Sequence, residues 1–103
     1  MVYNRVRKAV SFYKRFKGLM WEKQLEMDEG LWIARCNQVH MFNMRFPLDI
    51  IYLDKQFRVV KIETLRPRQV GKLVRGARSV LEVTAGSATA NGIVPGDYLE
   101  LKE

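Results

Sequence analysis

Cysteine and histidine are nearly missing from this chain: Cys36 and His40 are the single representatives of each among 103 residues. No internal disulfide can form, and neither a cysteine-rich nor a histidine-rich zinc site can be assembled. Cys36 reads as a buried thiol in a reducing compartment. Long apolar runs are also missing. Nothing approaches the ~18 uncharged apolar residues of a membrane span. The basic N-terminus is not followed by the apolar stretch of a secretory signal, so a cytoplasmic location is expected. The three prolines and seven glycines are scattered, with no repeat, low-complexity segment or linker. Residues 1–103 therefore form one domain. A chain of this length buries roughly two-thirds of its extended surface, enough for a core without staples.

What the chain does have is basic charge, unevenly placed. The formal net charge is +7. Residues 1–23 carry Arg5, Arg7, Lys8, Lys14, Arg15, Lys17 and Lys23 against Glu22. Residues 66–78 carry Arg66, Arg68, Lys72, Arg75 and Arg78 with no acid. The remainder is net acidic. Two basic segments on an acidic body can recruit phosphate-rich partners or simply form solvated faces.

Residues 2–10 fit a helix face or an edge strand equally well, and 1–8 read as an edge strand or a frayed basic segment. Ser11 can cap a short helix over about 11–17 that Gly18 stops. Leu31–Ala34 is a strand. From Val39 a strand period puts His40, Phe42, Met44 and Phe46 on one face and Met41, Asn43 and Arg45 on the other. Pro47 belongs at a corner. Leu48–Leu53 and Phe57–Leu65, joined by Asp54-Lys55-Gln56, make the clearest hairpin in the chain. The segment 66–77 lacks periodicity and reads as a basic loop, where function tends to concentrate. Ser79–Val83 is a strand. Thr84 can cap a second short helix over about 84–91, ended by Gly92. Pro95-Gly96-Asp97 turns the chain into a closing strand at 98–101. Short strands with turn signals and two short helices predict a mainly β fold, a small sandwich or barrel.

Several ordered motifs resemble one family. They are Ser11-Phe12…Arg15…Gly18-Leu19-Met20, Glu29-Gly30-Leu31, and His40…Phe42…Met44-Arg45-Phe46-Pro47-Leu48-Asp49…Leu53-Asp54. Arg75-Gly76-Ala77-Arg78-Ser79-Val80-Leu81-Glu82, Ala85-Gly86 and Gly96-Asp97 follow. From about Ala9 to Leu101 the chain is similar to domain of unknown function 192, an uncharacterised conserved region. The resemblance implies a sandwich-like or barrel-like β fold and no particular activity. Many members carry a secretion signal or lipoprotein leader, and this chain reads as lacking one. A second departure is Phe57, where the family hairpin usually has glycine. A bulky side chain resists positive φ, so a different or longer turn is expected there.

Three readings of function follow. The preferred one is a non-catalytic binding module for a small anionic ligand or a peptide. Its groove would be lined by His40, Phe42, Asn43 and Arg45, with Asp49 beside them and Arg75 and Arg78 from the basic loop. An apolar pocket with a few convergent polar groups suits such a ligand. The alternative is a nucleic-acid binder using Arg5, Arg7, Lys8, Lys14, Arg15, Arg66, Arg68 and Lys72, with Phe12, Tyr13 or Trp21 available to stack. The third is an enzyme centred on His40 and Asp49, with Cys36 as nucleophile. Against it, Cys36 has no helix N-terminus to activate it, and no glycine-rich elbow lies near. No metal or cofactor is expected, because His40, Asp49 and Asp54 match no ligand spacing. A protein partner is the remaining possibility.

Overall fold

Two segments carry apolar side chains on both faces, and the fold is arranged to cover both. They are β4 (Leu48–Leu53) and β6 (Ser79–Thr84), buried at every position. A computed structural model of the protein describes residues 2–3, 5–8, 29–42 and 44–102. The other strands are β1 (Val2–Tyr3), β2 (Arg5–Lys8), β3 (Glu29–Ala34), β5 (Val59–Leu65) and β7 (Glu100–Leu101). The main sheet runs β2-β3-β6-β4-β5, with β2 parallel to β3 and the remaining pairs antiparallel. Residues 2–3 and 5–8 are therefore strand and not helix.

The sheet curls until its ends meet. Val59 N–H donates to Asp97 O (2.7 Å) and Leu99 N–H to Phe57 O (2.9 Å). Beyond them β7 pairs parallel with β1, and Lys102 N–H donates to Tyr3 O (2.8 Å) while Val6 N–H donates to Lys102 O (2.8 Å). Closure leaves few exposed strand edges. Every part of the ring feeds one interior core, which includes Tyr3, Val6, Ile51, Leu53, Val59, Leu81, Val83 and Leu99. The opposite face of the sheet carries Leu31, Ile33, Leu48, Ile50, Tyr52 and Val80. Val39, Met41, Met44, Val74 and Ala77 cover it from two loops. Each fully buried Leu or Ile in these cores contributes about 1.5–3 kcal/mol.

Three expectations are corrected. First, among the described residues Val39–Phe42, Met44 and Arg45 form no strand, and their one ladder contact is an antiparallel bridge from His40 to Val70. The alternation also breaks: Val39, Met41 and Met44 are buried, whereas Phe42 and Arg45 are exposed, so neither expected face is kept whole. The open apolar face of the sheet takes the side chains that fit it, and His40 and Phe42 turn outward. Second, the helix is shorter than 84–91: α1 spans Ser87–Ala90, and Thr84 still belongs to β6. Gly86 sits at the N-cap without a side-chain cap. Gly92 does terminate the turn in the left-handed region, at φ 69°. The helix expected over about 11–17 lies outside the described residues.

The third correction concerns Phe57, which adopts φ 62°. Asp54 Oδ1 accepts N–H bonds from Gln56 (2.8 Å) and Arg58 (3.0 Å), and Phe57 N–H donates to Asp54 O (3.0 Å). These backbone bonds, that from Arg58 first, hold the Asp54 carboxyl below its ordinary value. A left-handed non-glycine residue costs on the order of 1–2 kcal/mol. Here that cost is offset by the Phe57 ring lying against Trp32, centroids 5.7 Å apart. Substitution separates the two terms. Phe57→Ala keeps the strain and loses the ring contact, so it destabilises by about 1–2 kcal/mol. Phe57→Gly loses the same contact and relieves the strain, so it is the milder change by about 1 kcal/mol. Urea midpoints in the reverse order would remove this account of the turn.

Candidate anion-binding cleft

At Ala34 strand β3 ends, and the chain leaves the sheet through Arg35, held at φ 52°. That turn swings Cys36 against the incoming segment before β6, where Cys36 N–H donates to Arg78 O (3.1 Å). Arg78 N–H is in turn anchored on Leu53 O (2.7 Å), at the end of β4. Between the two turns lies a cleft of about 320 Å³ lined by Arg35, Cys36, Asn37, Ala77 and Arg78. Ala77 is buried in the outer core and forms the floor, while both arginines and Asn37 are exposed at the rim. Cys36 packs against the same core, and its thiol donates to Gln38 O (3.1 Å). Among the described residues the lining contains two guanidinium groups, a carboxamide and a thiol, and no carboxylate. Such a set attracts an anion and can hold it through paired N–H donors.

Beneath the loops lies a second polar group. Tyr52, fully buried, donates from Oη to Glu63 Oε2 (2.5 Å), which also accepts from Lys72 N–H (3.1 Å). Burial holds the Tyr52 hydroxyl far above its ordinary value, and the bond to Glu63 and the neighbouring Glu63, Cys36 and Glu82 act in the same direction. Gln38 Nε2 donates to Gly71 O (3.0 Å), tying the Cys36 loop to the basic loop.

The residues expected to line one groove are distributed over three places. Arg78 lines the cleft. Arg75 is exposed on the turn preceding it. His40 and Phe42 form a ring pair, centroids 4.5 Å apart, on the outward side of the Val39–Phe42 segment. Arg45 is exposed beyond them, and Asn43 lies outside the described residues. Asp49 goes elsewhere. It alternates with Leu48 and Ile50 of the outer core, so its side chain enters the interior face. There Oδ2 accepts N–H bonds from Gly86 (3.0 Å) and Ala88 (3.1 Å), and Oδ1 accepts from Thr64 Oγ1 (2.7 Å). Asp49 thus supplies the cap that α1 lacks, and a Cys36–His40–Asp49 catalytic set is not assembled. Of the nucleic-acid candidates, Arg5, Arg7 and Lys8 lie on β2, and Arg66, Arg68 and Lys72 are exposed in the basic loop. Lys14 and Arg15 lie outside the described residues. Sequence reasoning missed Arg35 and Asn37. The available signal was a cationic and an amide residue placed directly where strand β3 stops.

Among the described residues no group of three His, Cys, Asp or Glu side chains is gathered as a metal site, and no helix is long and apolar enough to cross a membrane.

Comparison with known proteins gives a consistent picture. Residues 2–101 match the model of DUF192, described as an uncharacterized ACR. A UPF0127 protein of Pyrococcus horikoshii is 36% identical over 89 residues, covering 79% of this chain and 73% of the relative. A UPF0127 protein of Pyrococcus furiosus is 33% identical over 103 residues, covering 92% and 84%. The chain spans 56%, 64% and 66% of three Thermococcus relatives that it also matches. The crystal structure of a protein of unknown function from Novosphingobium aromaticivorans superposes with a TM-score of 0.79 at 29% identity, covering 92% of this chain and 73% of that one.

Proposed function

The chain belongs to the DUF192 family, and from that premise we propose that it is a non-catalytic binding module for a small anionic ligand. The supporting observation is the cleft of about 320 Å³ whose rim carries Arg35, Asn37 and Arg78 and whose described lining residues include no acid. That volume lies at the lower end of small-molecule sites, which fits a compact carboxylate or phosphate ester rather than a large cofactor. Guanidinium forks recognise planar carboxylates and phosphates in two-point contact. The backbone bonds of Cys36 and Arg78 fix both turns before a ligand arrives, which lowers the ordering cost of binding.

A thermal-shift screen of the pure protein against citrate, short dicarboxylates, inorganic phosphate and sugar phosphates tests the reading. A ligand present at 100 times its Kd stabilises the fold by about 2.7 kcal/mol. The expected hit loses affinity by about tenfold in Arg35→Ala and in Arg78→Ala, the scale of one charge-assisted contact. Both residues are exposed, so neither substitution should lower the melting temperature of the free protein. A shift that survives the double substitution would place the ligand elsewhere. Stabilisation by oligonucleotides alone, vanishing as salt rises, would move the function to the basic segments.

A further inference from the structure

A second surface lies on the loops that cover the outer core, apart from the cleft lining. The Val39–Phe42 segment and the basic loop are joined as a short antiparallel ribbon. Met41 N–H donates to Gln69 O (2.7 Å), Arg68 N–H to Met41 O (2.8 Å), Gly71 N–H to Val39 O (2.8 Å) and Val74 N–H to Asn37 O (2.9 Å). His40 and Val70 are bridge partners, so their side chains share one side of the ribbon, opposite the buried Val39, Met41 and Gly71. That side is apolar and open: Phe42 is 48% exposed and Val70 57%. The His40 ring lies against Phe42 and stiffens it. Around this patch stand the exposed Arg66, Arg68 and Lys72, in a segment that holds no acidic residue from 66 to 78.

We propose that this ribbon is a docking surface for an acidic segment of a partner protein that carries an apolar anchor. An exposed aromatic beside an exposed Val is placed to receive such an anchor, and a preformed aromatic and arginine platform is the composition of an interface hot spot. The rim supplies the complementary charge. Arginine outnumbers lysine on this rim, Arg66 and Arg68 against Lys72. Guanidinium forks suit carboxylates held at fixed positions on a polypeptide, whereas a fluid anionic bilayer takes lysine as readily. Four backbone bonds hold the ribbon in place, so little conformational freedom is lost on docking.

The test uses the full chain and a fluorescent peptide in which Asp and Glu alternate with Leu and one Phe, read by anisotropy at low and physiological salt. Binding is expected, and Phe42→Ala and Val70→Asp should each weaken it by about tenfold or more. Arg35→Ala and Arg78→Ala should leave it unchanged, which separates this surface from the anion cleft. Both ribbon substitutions are at exposed positions; if Val70→Asp lowers the melting temperature, Val70→Ser supplies the same readout. No binding, or equal binding by a peptide with Ser in place of Leu and Phe, would overturn the proposal. So would preferential binding to phosphatidylserine vesicles or a single-stranded oligonucleotide, or self-association of the protein that Val70→Asp abolishes.

Discussion

Asp49→Ala is expected to lower stability by about 3–5 kcal/mol, the range for removing one side of a buried charge-assisted network. Asp49 is only 2% exposed and accepts three hydrogen bonds, from Gly86 N–H, Ala88 N–H and Thr64 Oγ1. Alanine leaves two backbone donors at the start of α1 without an acceptor, and that turn has no cap of its own. It also leaves a void between β5 and α1. Domains of this size are stable by only about 5–15 kcal/mol, so the variant should approach the folding threshold. Asp49→Asn keeps the shape and one acceptor oxygen but turns an NH2 toward a donor, and should cost about half as much. Thr64→Ala removes one exposed partner and should cost about 1 kcal/mol. Urea denaturation ranks the three. If Asp49→Ala cost no more than Thr64→Ala, the carboxylate would not be the organising group of this end of the barrel. A loss of ligand binding in Asp49→Asn at full stability would instead return Asp49 to the site.

The second large effect concerns the contact that fastens the basic loop to the sheet. Gly71 passes so close to β4 and β5 that an added Cβ would lie 2.9 Å from Tyr52 Oη, 2.9 Å from Glu63 Oε2 and 3.1 Å from Leu65 Cδ1. Two of those atoms form one hydrogen bond, so neither can retreat without breaking it. Gly71→Ala is therefore expected to destabilise by about 2–3 kcal/mol, the range for overpacking a tight core. Its marker is a loosening of the loop, read as faster amide exchange at Val70 to Val74. Tyr52→Phe costs about 1–2 kcal/mol by leaving the Glu63 carboxylate one donor short.

The same pair predicts a pH dependence. The folded value of Tyr52 is raised above its ordinary 10.0, first by burial and then by Glu63. A raised folded value means that folding favours the protonated phenol. Its contribution is fully present below pH 10 and is lost as the pH rises beyond that, because the unfolded chain ionises first. Wild-type stability should fall above pH 10 more steeply than that of Tyr52→Phe, as read by urea midpoints across an alkaline series. Parallel curves would mean that Tyr52 does not remain protonated in the fold.

Much of the barrel is legible from local pattern. Leu48–Leu53 and Ser79–Val83 read as strands because β-branched and large apolar residues crowd short segments between turn formers. Gly92 and the Pro95-Gly96-Asp97 turn are legible for a similar reason: few residues tolerate those backbone angles. The site is far less legible. Alternation along Val39–Phe46 gives a period but not a phase, and a shift of one residue exchanges the two faces. The phase is set by the outer face of β4, which accepts Val39 and Met41 and leaves His40 and Phe42 outside. Phe57 follows the same logic: intrinsic preference argues against φ 62°, and the Trp32 ring, distant in sequence, outweighs it.

The amino-acid sequence by itself determined the class of this protein: a mainly β fold, its principal hairpin, its basic loop and its family. Those features rest on backbone preferences and hydrophobic periods that act over a few residues. Only the tertiary structure decided which polar groups meet. It carried Asp49 through the sheet to cap α1, set Arg35 beside Arg78 across 43 positions of chain, and paired His40 with Val70. Such meetings depend on how the sheet closes and which face each loop covers, and closure is a property of all the strands at once.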